Sequence, residues 1–120
     1  LEKYNAPIFL VNTGWSGSSA VSGSSRIDLK LTKHIVKLIT DGNLDFSSSV
    51  KDKFFNLEIP LNLEGLDNDF LVPHNSWKNL DEYFETGNML TSLFNSNFEK
   101  YDISDKNLVN AGPKIHNGEQ

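Results

Sequence analysis

The chain has 120 residues, 38% of them apolar and 22% charged, with a net charge of −5 and no cysteine. That length supports one modest core and gives no sign of a second domain. An acidic balance without a basic block argues against a nucleic-acid surface, the lack of cysteine removes disulfides and thiolate metal sites, and no apolar run is long enough to span a bilayer.

Residues 1–6 are polar. Pro7 opens a continuous apolar run, Ile8-Phe9-Leu10-Val11, which reads as a strand covered on both faces. A stretch rich in Gly and Ser follows, from Asn12 to Ile27. Such a stretch cannot bury a core of its own. Trp15 inside it is expected to anchor the loop to the body.

A helix is predicted from about Leu29 to Asp41. Asp28 can cap it and Gly42 can stop it in the left-handed region. Leu31, Ile35, Leu38 and Ile39 share one face, and Lys30, Lys33 and Lys37 lie on the solvated side. His34 has polar neighbours and reads as an exposed side chain, not a ligand or base. Thr32 sits in the first turn, close to the loop.

Residues 43–53 read as a polar connection. Phe55, Leu57 and Ile59 alternate with Asn56 and Glu58, the period of a half-buried strand, with Pro60 at its end. Residues 61–78 are expected to wrap irregularly, anchored by Leu63, Leu66, Phe70 and Leu71. Asp67 and Asp69 lack a third ligand at usable spacing and read as turn residues.

The longest helix is predicted from Asn79, with Glu82 three residues on, to about Lys100. Tyr83, Gly87, Leu90, Phe94, Phe98 and Tyr101 recur along it as a core stripe. A short last helix spans Asp105 to Ala111, closed by Gly112-Pro113. A polar tail, 114–120, is expected to be mobile. The sequence opens on Leu1, its one Met is Met89 and no signal-peptide pattern stands at its start, so a piece of a longer polypeptide is expected.

Strand, glycine-rich loop and helix in that order can present backbone N–H groups to an anion. Arg26 closes the loop and is the chain's sole arginine; the other ten basic residues are lysines. Arginine replaces lysine where a planar, forked donor must stack or grip two oxygens.

Several motifs then agree in order. They are Val11-Asn12-Thr13-Gly14-Trp15-Ser16-Gly17, Gly23, Arg26-Ile27 and Leu29-Lys30-Leu31-Thr32. Asp41-Gly42-Asn43-Leu44, Phe55-Asn56-Leu57-Glu58-Ile59-Pro60 and the segment with Gly65, Leu71, Pro73, Asn75 and Trp77 continue the series. Leu90, Leu93-Phe94, Asn97-Phe98, Lys100-Tyr101 and the closing Ala111-Gly112-Pro113 complete it. Together they resemble the C-terminal region of ATP-dependent phosphoenolpyruvate carboxykinases. The GTP-dependent enzymes do not share the Asn-Thr-Gly-Trp block. The chain departs from the family's usual pattern at Ser24, Ser25, Lys33 and His74.

The resemblance implies a mixed α/β fold, the last part of a nucleotide-binding domain. Short strands, the glycine-rich loop and two to three helices are expected within 1–113. It implies a cytoplasmic enzyme of gluconeogenesis that converts oxaloacetate and ATP to phosphoenolpyruvate, ADP and CO2 with Mg²⁺ and Mn²⁺. Arg26, Ile27 and Thr32 fall on the family's nucleotide contacts. No catalytic or metal-binding residue is carried over. The family's phosphate loop, its metal ligands and its oxaloacetate-binding arginine have no counterpart here. The chain alone is therefore expected to be inactive and to need the N-terminal part of the enzyme. The rival reading is a non-catalytic binding module that keeps the loop. Neither reading calls for a nucleic-acid or membrane partner.

Overall fold

A computed structural model describes residues 6–18 and 25–117. Among these residues the fold is mixed α/β, with five helices and two small antiparallel sheets. The first sheet joins β1 (Trp15–Ser16) to β2 (Ser25–Arg26). Helix α1 (Leu29–Thr40) follows at once. The second sheet is a hairpin of β3 (Ser49–Lys51) and β4 (Glu58–Pro60). Two single-turn helices, α2 (Asn68–Leu71) and α3 (Pro73–Ser76), lead to the long α4 (Leu80–Phe98) and the short α5 (Lys106–Ala111).

Local signals account for the three longer helices. The Asp28 carboxylate accepts from the Lys30 N–H, Asn79 Oδ1 from the N–H groups of Asp81 and Glu82, and Asp105 from the Asn107 N–H. Each satisfies amide donors that a helix start leaves without a partner. Gly42 ends the α1 region at φ +72°, where a Cβ would be strained. Leu31, Ile35, Leu38 and Ile39 are half-buried as their spacing predicts.

The core lies elsewhere than the alternating pattern suggests. Its buried apolar residues are Phe54, Leu63, Val72 and Tyr83. Phe54 falls just after the stretch read as a polar connection. The Asp52 carboxylate accepts from the Phe54 and Phe55 N–H groups at 2.9 and 2.7 Å, and Asn56 adopts φ 57°. This turn rolls Phe54 inward and leaves Leu57 exposed. The strand predicted over 55–59 is consequently short, and its partner β3 comes from residues 49–51, within the segment whose composition predicts a polar connection. The segment 61–78 is not wholly irregular, because the Asp67 side chain caps α2 and Pro73 opens α3.

Ile8 to Val11 forms no strand. Ile8 and Leu10 are 66% and 77% exposed, and Phe9 makes one ring contact, with Phe46 at 6.2 Å. An extended run becomes a strand only when a second chain segment completes its ladder, and among the described residues none pairs with it by ladder hydrogen bonds.

Helix α4 buries one side, through Tyr83, Gly87 and Thr91. The rest of the predicted stripe is open: Phe94 is 53% exposed and Tyr101 61%. Phe94 meets Phe55 edge-on at 5.7 Å and has little else over it. The helix forms as its period predicts, but no element among the described residues covers that face. The tail also differs from expectation. Lys114 N–H donates to the Phe54 carbonyl, Asn88 and His116 exchange two hydrogen bonds, and the His116 ring stacks on Phe84 at 4.5 Å. Residues 114–116 thus close over the same aromatic cluster, and residues 118–120 lie outside the described residues.

Gly87 makes that cluster possible. A Cβ at this position would stand 2.3 Å from Cε2 and Cζ of Phe54. In an exposed helix Gly→Ala gains about 1 kcal/mol. Here the ring must move from a site that is 2% exposed, so overpacking should win and Gly87→Ala should lose about 1–3 kcal/mol net. Thermal unfolding by circular dichroism checks the sign, and a stabilised variant would mean that Phe54 does not pack on α4.

Burial, helped by the nearby charge of Asp52, pushes the Tyr83 phenol up to about 12. The ring serves the core as a large, weakly polar body.

Candidate functional site

The site is built where the loop returns to the body. Asn12 folds the entry: its Oδ1 accepts from the Gly14 N–H at 2.9 Å and its Nδ2 donates to the Trp15 carbonyl at 3.1 Å. Ile27 N–H donates to the Gly14 carbonyl at 2.9 Å, so Gly14 and Ile27 form a hydrogen-bonded pair. The next pair along an antiparallel ladder is of the other kind, in which side chains stand closest. That pair is Trp15 and Arg26. The far side of the loop is seated on the end of α3. Ser16 and Ser76 hydroxyls meet at 3.4 Å, and Gly17, at φ +88°, passes so close to Ser76 that a Cβ would reach its carbonyl at 3.0 Å. Residues 19–24, including Gly23 of the glycine-rich stretch, lie outside the described residues.

A cavity of about 490 Å³ opens at this junction, lined by Thr13, Arg26, Ile27, Leu29 and Thr32. All three residues singled out from the sequence line it together. Arg26 is exposed, Ile27 half-buried, and Thr32 half-buried one turn into α1. The Thr32 hydroxyl makes only a long contact, 3.5 Å, to the Asp28 carbonyl. It therefore retains capacity toward a ligand as donor and acceptor. Among the described residues no carboxylate pairs with Arg26, and its guanidinium carbon stands 5.9 Å from the centre of the Trp15 ring. The cavity thus offers an apolar wall from Ile27 and Leu29, one hydroxyl on α1 and a cationic plane at the rim. Those are the ingredients for a flat heterocycle bearing anionic groups.

Thr13 and Leu29 were missed as lining residues, although both fall inside the motifs that carry the resemblance. Trp15 was expected to pack the loop down. It is instead 47% exposed and lies beside Arg26. His34 is half-buried, and its ring Nε2–H donates to the Glu64 carbonyl, 30 residues on. It ties α1 to the turn at Gly65 and stands outside the cavity lining. Asp67 caps α2 and Asp69 accepts from the Asn75 amide, in keeping with turn roles. Among the described residues no group of three or more His, Cys, Asp or Glu could hold a metal ion, and no helix is long and apolar enough to cross a membrane.

The family model described as phosphoenolpyruvate carboxykinase, in its ATP form, matches residues 1–69. Curated proteins named phosphoenolpyruvate carboxykinase (ATP) align over nearly the whole chain. The one from Caldanaerobacter subterraneus subsp. tengcongensis is 42% identical over 114 residues, covering 95% of this chain and 22% of its own length. The one from Alkaliphilus oremlandii is 40% identical, covering 96% of this chain and 22% of its own length. The Bacillus subtilis protein is 34% identical, again covering 96% and 22%. The chain therefore spans about a fifth of the length of the curated relatives it matches.

Proposed function

The chain belongs to the phosphoenolpyruvate carboxykinase family, and we propose that it is the part of an ATP-dependent member that grips the nucleotide. The observation that carries this reading is the convergence of Arg26, Ile27 and Thr32 on one cavity at the loop–helix junction. In the proposed complex the guanidinium of Arg26 lies against the adenine ring. Ile27 packs on the base, and the Thr32 hydroxyl bonds an adenine nitrogen. We assign residues 1–113 to the C-terminal part of the ATP-binding domain, with 114–120 as its tail.

The whole polypeptide would take oxaloacetate, break its bond to the departing CO2, and pass the γ-phosphoryl group of ATP to the enolate oxygen. Phosphoenolpyruvate and ADP leave. Phosphoryl transfer rests on positioning and on charge neutralisation by a phosphate loop and metal ions. The Mg²⁺ and Mn²⁺ ligands and the oxaloacetate contacts are assigned to other parts of the polypeptide, and this chain's share is to bind and orient the base. The open face of α4, with Leu90, Leu93 and Phe94 exposed, is where such parts would pack. The cytoplasm is the compartment this reading assigns. Likeness to enzymes of that name over 95% of the chain favours it over a stand-alone binding module.

The full-length polypeptide carrying this chain should form phosphoenolpyruvate, CO2 and equimolar ADP from oxaloacetate, ATP, Mg²⁺ and Mn²⁺. The 120-residue chain alone should form none. A coupled assay for phosphoenolpyruvate decides it. Turnover by the chain alone, or no ATP-dependent turnover by the full-length polypeptide, overturns the proposal.

A further inference from the structure

We infer that Trp15 is a positioning residue for the nucleotide site: its ring holds the guanidinium plane of Arg26 in the orientation that receives the base. The inference rests on the nucleotide reading above and deepens it. Four observations lead to it. Trp15 and Arg26 face each other across β1 and β2, in the pair type whose side chains stand closest. The Arg26 guanidinium carbon lies 5.9 Å from the Trp15 ring centre, within reach of a cation–π contact. Arg26 has no competing carboxylate among the described residues. And Trp15 itself is 47% exposed and is not a lining residue of the cavity, so it acts through Arg26.

The physical argument concerns freedom. A long exposed arginine samples many rotamers and must give them up to stack on a base. A ring on the opposite strand removes part of that freedom before the ligand arrives. A guanidinium has two faces. Were one turned to Trp15, the other would be left for a purine, and the three planes would stack in sequence. Indole is the strongest partner among the aromatic side chains for this contact, which gives the position a reason to be Trp and not merely apolar.

The test uses the full-length polypeptide with Trp15→Leu and Trp15→Phe, and ATP and oxaloacetate as variable substrates. Trp15→Leu keeps an apolar side chain but has no π face. It should raise the KM for ATP about three- to thirtyfold, while kcat and the KM for oxaloacetate stay within about twofold. Trp15→Phe should recover part of the loss. In an Arg26→Ala background, Trp15→Leu should add nothing, because the ring acts through the missing guanidinium. Equal KM values for wild type and Trp15→Leu overturn the inference. So does a Trp15→Phe variant as impaired as Trp15→Leu. Additive losses in the double variant also overturn it, because they would mean that the indole touches the nucleotide itself. Arg26→Lys separates the two levels. If it impairs ATP use while Trp15→Leu does not, only the role of Trp15 fails. If neither affects ATP use, the nucleotide reading fails with it.

Discussion

Phe54→Ala should remove about 3–5 kcal/mol of stability, the loss expected from emptying a buried aromatic site. The ring is 2% exposed. It meets Tyr83 edge-on at 5.5 Å, Phe84 at 6.0 Å and His116 at 6.2 Å, and it fills the notch left by Gly87. Its own carbonyl holds the Lys114 N–H, so the turn that delivers the ring also fastens the returning tail. Truncation therefore leaves a cavity bounded by three aromatic rings, which cannot collapse as aliphatic chains do. Phe94→Ala is the internal comparison. That ring is 53% exposed with one aromatic neighbour, and its loss in this chain should be less than half as large. Urea unfolding of both variants, followed by far-ultraviolet circular dichroism, measures the difference. Equal losses would contradict the assignment of the core to Phe54.

The contrast between those two phenylalanines shows which parts of the fold the sequence carries openly. Helix α1 announces itself through Asp28, four apolar residues at helical spacing and Gly42, all within fourteen positions of one another. Signals of that kind are local, and α4 and α5 have them too. Phe54 gives no such signal. It stands beside Phe55, and which of the two turns inward depends on the carboxylate of Asp52 and on a left-handed Asn56. The docking of His116 depends on Asn88, 28 residues earlier. Ile8 to Val11 has the composition of a strand, yet strand formation requires a neighbour that composition cannot supply. Likewise the period of α4 was legible, but which part of the stripe becomes buried is decided by what packs on it. The cavity was legible to the same extent. Arg26, Ile27 and Thr32 stand close in sequence and flank a helix start, so their meeting needs little long-range information. The pairing of Trp15 with Arg26 follows from a strand register across the glycine-rich stretch, which no local pattern encodes.

Arg26→Lys should weaken ATP binding about ten- to a hundredfold in the full-length polypeptide, the loss of about 1–3 kcal/mol expected for a charge-assisted contact at a partly desolvated site. The substitution keeps the charge. It removes the plane that can stack on a base and the fork that can reach two oxygens. Simple attraction for phosphates would survive it, so a large loss assigns the contact to geometry. The setting favours that outcome, because Arg26 already lies beside the Trp15 ring and at the rim of the cavity lined by Ile27 and Thr32. A lysine ammonium is compact and strongly hydrated, and it would gain less from both the indole and the base. Little damage to the fold is expected, since Arg26 is exposed and its backbone pairing to Trp15 does not depend on the side chain. The dependence on oxaloacetate should change little, because the proposed contacts for that substrate lie outside this chain. Steady-state rates against ATP and oxaloacetate, with melting curves for both proteins, provide the measurement. If ATP dependence is unchanged while the protein remains folded, Arg26 is a strand residue that happens to border a cavity, and the nucleotide role fails at this position.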